Sequence, residues 1–438
     1  MALWVGMTVS PLPGQTPPSD QGLPGHIAAA KRWLESRVTP NRVVPSPDAS
    51  RRGLLVSYEL SPAVQPSGYH RSATYDDAVA ALAFLATGDH DRAAFTLHAL
   101  TRLLRPDSSV WFTYNTANNW PTERDHESAL VRAGTVSWVG YALTLYATRP
   151  PAPAPGTAAE RERTLFLSTA KQLAHYLMSL QVNDSLDPRD GLLRLGYGWI
   201  TLAYDTAAHR VVERYRDSPV GGVSTENNIA AWFFLRRLGA VSGDRAVSGV
   251  AERIGRALPA AAWSDELGQF IEGFGDDGTS DPAKALDCAS LGALFLLAQG
   301  DTVRARRALA AAERYYASRS GSATGYRPYA DQRVYGNEAV GRFFFPERPQ
   351  TEWRELPVVW SEGSLQVALA YLRLGRRDEA RRLLDGVDPL QERTGGVRYA
   401  SLDVPHELAD VASVAGSAWL ILVGRALSGD PLALEVLR

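Results

Sequence analysis

Cysteine is almost missing from this 438-residue chain: the single Cys288 excludes an intramolecular disulfide and any zinc site built on several thiolates. Neither sign of charge dominates, with 46 basic against 48 acidic side chains and a net charge of -2. That balance gives no electrostatic reason to expect nucleic acid or an anionic membrane as partner. No run approaches the about 20 apolar residues of a membrane span. Walker and G-x-G-x-x-G signatures are lacking, so no nucleotide is implied, and no cofactor or metal is expected. The start, "MALWVGMTVSPLPGQTPPSDQGLPG", has no basic leader; its prolines read as a flexible arm over residues 1–24, and a cytoplasmic protein is expected. What remains is 45% hydrophobic and 21% charged, ample material for a core.

A pair of unlike helices recurs. One member is apolar nearly all round: "YDDAVAALAFLA" (75–86), "VSWVGYALTLYA" (136–147), "IAAWFFLRRLG" (229–239), "CASLGALFLLA" (288–298), "SLQVALAYLRLG" (364–375) and "ASVAGSAWLILVG" (412–424). A helix without a polar face must be covered on all sides. The other member is amphipathic and arginine-rich, as in 91–104, 244–258, 301–319 and 377–384, and one side of it can face water. Tight turns such as "TGDH" (87–90) and "QGD" (299–301) join the two, with glycine supplying the left-handed residue that ends a helix. The long and variable connections are those entering each apolar helix: 38–73, 105–132, 182–224, 259–284, 320–358 and 388–410. Their scatter argues against a solenoid, which would repeat every 34 to about 47 residues. With "HIAAAKRWLESR" (26–37) as an outer helix, residues 25–438 form one set of six inner and six outer helices.

The motifs "TYDDAVAALAFLATGDHDRA", "RAGTVSWVGYALTLY", "STENNIAAWFFLRRLG" and "VVWSEGSLQVALAYLRLG" resemble the inner-helix signatures of the six-hairpin glycosidase superfamily, in particular bacterial members acting on glucans or other polysaccharides. The resemblance covers most of residues 70–425 and implies an all-α (α/α)6 toroid with long loops at one rim. It also implies a substrate class, an oligosaccharide or small glycoside, although a fold does not fix a function.

If short turns join inner to outer helices, the six inner-helix starts converge on one cavity. They carry Asp76 and Asp77; Thr135 and Ser137; Glu226, Asn227 and Asn228; Asp287; Ser361 and Glu362; and Asp410. Acids in a first turn also favour the macrodipole, and Ser, Thr, Asp and Asn cap orphan N–H groups, so each residue alone reads equally as a cap. Two features favour a site for the set. Carboxylates on buried helices are costly without a wet cavity or a partner, and aromatic rings suited to stacking on sugars crowd the same rim: Tyr114, Trp120, Trp138, Trp199, Trp232, Trp353 and Trp360.

Glycoside cleavage needs one carboxyl group protonated and another ionised on opposite faces of the bond. Glu226 is the candidate acid, with Glu362 or Asp76 as base and Asp287 in reserve. Asp76 and Asp77 point about 100° apart, so one of them faces inward. Asn227, Asn228, Asp77 and His70 are candidate sugar contacts. Loop 122–128, "TERDHES", could hold a metal but reads better as a solvated charged loop. Two other functions fit the same frame: a sugar epimerase, lyase or isomerase, which would use His and Tyr for proton transfer, and a non-catalytic carbohydrate-binding scaffold.

Overall fold

The structure is a computed structural model and describes residues 22–61, 68–118 and 129–438. Trp120, loop 122–128 and nearly all of the expected N-terminal arm lie outside the described residues. Thirteen helices are present among them: α1 (Leu23–Arg37), α2 (Thr74–Ala86), α3 (His90–Arg102), α4 (Ala133–Thr148), α5 (Ala158–Ser179), α6 (Thr225–Ser242), α7 (Arg245–Ala261), α8 (Leu286–Ala298), α9 (Thr302–Tyr316), α10 (Glu338–Phe344), α11 (Ser361–Arg373), α12 (Arg377–Val387) and α13 (Val414–Leu427). The first helix begins one residue before the expected end of the arm.

The six helices without a polar face, α2, α4, α6, α8, α11 and α13, pack each on the next, and α13 returns to α2, so they close a ring. Outside it α3 packs on α2, α5 on α4, α7 on α6, α9 on α8, α12 on α11 and α1 on α13. Burial explains the difference in composition. Every residue of α4 from Ala133 to Ala147 is buried, whereas α7 buries only Val247, Val250, Ala251, Ile254 and Leu258, spaced as one stripe. The turn glycines behave as expected, Gly88 at φ 75° and Gly300 at φ 84°, where a Cβ would be strained.

The expectation of an all-α chain is corrected. Six small sheets occur among the described residues, all in the connections entering inner helices or beside them. Short strands precede four of the inner helices: β1 (Arg71–Ala73) before α2, pairing with β2 (Thr113–Asn115); β3 (Val131–Arg132) before α4; residues 223–224 before α6; and residues 412–413 before α13. The largest sheet joins β3 to a long hairpin of β4 (Gly196–Asp205) and β5 (Arg210–Val220). Strand pairing gives a backbone arriving at the rim hydrogen-bond partners that water would otherwise supply.

Candidate active site

Backbone hydrogen bonds set each helix start in place. Thr225 N–H donates to Glu272 O at 2.9 Å, Leu286 N–H to Pro328 O at 2.8 Å and Ser361 N–H to Tyr399 O at 3.0 Å. Ser224 caps α6, its Oγ accepting from Asn227 N at 3.3 Å. The first turns of α2, α6, α8 and α11 therefore present Asp76, Glu226, Asp287 and Glu362 to a common space. All four line a cavity of about 900 Å³ at the loop-bearing end of the ring.

Their environments are those of carboxyls that resist ionisation. Burial raises Asp76 to about 7, with a hydrogen bond from Ser57 opposing it, and Oδ2 of Asp76 is buried without a partner among the described residues. Burial raises Glu226 to about 7. Asp287 rises to about 8 through burial and the charge of Glu226. Glu362 is pushed well above the usual range by burial and by Asp287, Asp76 and Glu226, while a hydrogen bond from Tyr75 works the other way. The charges of neighbouring acids add to burial in keeping Asp287 and Glu362 protonated.

Donors distinguish the four. Glu362 Oε1 accepts from the Tyr75 hydroxyl, which itself accepts from Trp419 Nε1 at 2.8 Å, and from Gln366 Nε2 at 3.3 Å. Glu226 Oε2 accepts from Asn227 Nδ2 at 2.8 Å. Asn227 is in turn held by Ser224 Oγ at 3.0 Å and by the N–H of Gly134, where any side chain larger than hydrogen would collide with it.

Asn227, Trp138, Trp199 and Trp360 also line the cavity. The remaining expected contacts within the described residues do not, and each has a structural occupation instead. Asn228 spans to the neighbouring loop, accepting from Leu193 N at 2.8 Å and donating to Leu193 O at 3.0 Å. Asp77 points away from Asp76 and accepts from Leu55 N and Ser72 Oγ, both at 2.7 Å. Tyr114 donates to Leu103 O at 3.0 Å. Trp232 packs on Phe295 with ring centroids 4.8 Å apart, Trp353 is fully buried beside Tyr329, and His70 lies edge-on to Tyr69.

Several lining residues carry no mark at a helix start. Glu272 and Glu407, on connections, are both raised to about 7 by burial. Tyr75, one residue before Asp76, reaches Glu362 past the intervening α13, and Tyr399 and Arg132 complete the wall. Arg132 Nη1 donates to Tyr197 O at 2.8 Å and Gly198 O at 2.9 Å. No histidine is found among the described lining residues. Among the described residues no group of three or more His, Cys, Asp or Glu could hold a metal ion, and no helix is long and apolar enough to cross a membrane.

Comparison with solved structures assigns the architecture. A GH63 mannosylglycerate hydrolase from Thermus thermophilus, determined with glucose, superposes with a TM-score of 0.55 at 14% identity, over 91% of this chain and 99% of that one. A bacterial glucoamylase complexed with acarbose gives 0.59 at 11% identity, over 94% of this chain and 57% of that one. A D-mannose isomerase gives 0.55 at 10% identity, over 93% and 99%. The chain thus has the six-hairpin fold of the toroid glycosidases. At these identities the likeness carries the fold alone. No protein-family model matches the chain, and no curated protein matches it.

Proposed function

We propose that the protein is a glycoside hydrolase of the (α/α)6 toroid type, acting in the cavity at the inner-helix starts. The observation that carries this reading is the meeting of four carboxyl groups, from four separate helices, in one aromatic-lined space. A scaffold would gain nothing from such a cluster, because burying mutually repelling acids costs stability. Glu226 serves as the acid: raised to about 7, it keeps its proton in a large share of molecules at neutral pH, and Asn227 fixes the orientation of its carboxyl group. Glu362 serves as the base: burial and its acidic neighbours raise it, and Tyr75 and Gln366 donate to Oε1 and stabilise the ionised form once its proton has left. As the C–O bond breaks, Glu226 passes its proton to the leaving oxygen; Glu362 takes one from the water that adds to the anomeric carbon. Asp76 Oδ2 and Trp360 Nε1, a buried acceptor and a buried donor left unpaired on two residues that line the cavity, each suit a hydrogen bond to a sugar hydroxyl. An isomerase using histidine finds no such residue among the described lining.

The test is a screen of oligosaccharides and aryl glycosides against wild type, Glu226→Gln and Glu362→Gln. Turnover should drop by about 10²–10⁴ in each variant with the circular dichroism unchanged. Full activity in both variants would remove the proposal.

A further inference from the structure

We infer that the substrate is taken end-first, as a short glycoside or as the free end of a glycan, and not as an internal stretch of polymer laid across an open bowl. This rests on the hydrolase reading above and adds a substrate class to it. The observation is the course of the β4–β5 hairpin. Its root pairs with β3, which precedes α4, and β5 ends just ahead of α6. Its far end meets α10, which precedes α11: both strands pack on that helix, and Tyr204 lies against Phe343 with ring centroids 5.7 Å apart. Glu213 faces His406, on the connection into α13, at 3.8 Å. In a closed ring ordered α2, α4, α6, α8, α11, α13, the pair α4 and α6 stands directly opposite α11 and α13. The hairpin and the α10 connection therefore join hands over the mouth.

The dimensions agree. A six-membered ring of helices about 10 Å apart is about 20 Å across, and a ten-residue strand reaches about 30 Å. The sides of the hairpin also divide as a bridge requires. Trp199 and Arg216 are register partners, and both line the cavity below. Leu202, Tyr204 and Val211 sit on the alternate face and are partly buried. The root is held by Arg132, whose guanidinium donates to two hairpin carbonyls, and by Arg216 against Asp276 at 3.3 Å. A strand so anchored at both ends bars a continuous chain from being lowered onto the carboxyls, whereas a chain end can be inserted beside it.

The experiment compares wild type with a variant in which Ala203–Val212 is replaced by Asn-Gly, a two-residue turn that rejoins the paired Leu202 and Glu213 while keeping Trp199, Arg216 and Arg132. The probes are end-labelled hexasaccharides of the cello, malto, xylo, manno and laminari series, with product sizes read at the onset of reaction. Wild type should release mono- or disaccharide from one end, with internal scission below about a tenth of events. The trimmed variant should raise internal scission about tenfold. Internal products from wild type at onset would overturn the inference, as would an unchanged product pattern from a folded trimmed variant. No cleavage of any probe by either protein would instead overturn the hydrolase reading on which it rests.

Discussion

Replacing Asp76 by asparagine should make the protein more stable at alkaline pH, although the residue belongs to the candidate site. Asp76 is 4% exposed, and burial raises its carboxyl from an ordinary 3.8 to about 7, with one oxygen left unpartnered. The folded chain therefore holds this proton more tightly than the unfolded chain does. Its contribution to stability is full below the unfolded value and is lost as pH rises through the folded one. Each unit of pH corresponds to about 1.4 kcal/mol, so ionised Asp76 costs at most about 4 kcal/mol at pH 8, and relaxation with water entry halves this to about 2 kcal/mol. Asparagine keeps the shape and removes the charge. Urea unfolding at pH 8 should show Asp76→Asn more stable than wild type by about 2 kcal/mol, and the gap should narrow steadily toward pH 5. A variant less stable than wild type at pH 8, or a gap independent of pH, would refute the assignment of a buried, reluctantly charged group at the rim.

Tyr75→Phe removes one of the two donors to Glu362. Without it Glu362 ionises less readily, so the acidic limb of the kcat/KM profile should move to higher pH; an unmoved limb would separate Tyr75 from the reacting group. Trp199→Ala and Trp232→Ala should behave oppositely. The first, partly exposed over the cavity, should raise KM with unfolding unchanged, and the second, a packed core ring, should cost about 3–5 kcal/mol of stability with KM unchanged, as read by kinetics and urea unfolding on the same preparations. Asn228→Ala leaves Leu193 N–H and O without their partner and should cost about 1–3 kcal/mol while leaving the KM of the folded enzyme intact.

The helical ring was legible because its signal is crude and repeated. Inner helices buried on every side read as continuous apolar runs, and their observed starts at residues 74, 133, 225, 286, 361 and 414 lie close to where those runs begin. The outer helix α5, "AAERERTLFLSTAKQLAHYLMS", opens on four consecutive charges, Glu160 to Arg163, and no comparably apolar run announces it. Asp76, Glu226, Asp287 and Glu362 at the helix starts followed from topology alone, whereas Asp410 lies four residues ahead of α13 and is not among the lining residues; the divergence of Asp76 from Asp77 followed from helical geometry. Glu272 and Glu407 did not, because connections have no period from which to infer a direction. Asn228 shows the limit of reasoning by residue type: it stands beside Asn227 in sequence, yet one faces the cavity and the other ties down a loop. The hairpin at 196–220 went unread as strand because each face carries polar and apolar side chains together, which blurs the alternation that marks a half-buried strand.

Because α13 packs against α2, α11 and α1 together, the ring helix that follows the other five in the sequence is the keystone of the ring. Until it emerges from the ribosome, α2 and α11 expose greasy flanks with nothing to cover them, so the protein cannot mature in stages as a linear array of repeats does. Its biogenesis is correspondingly all-or-none, and a nascent chain stalled before residue 414 is a natural client for chaperones.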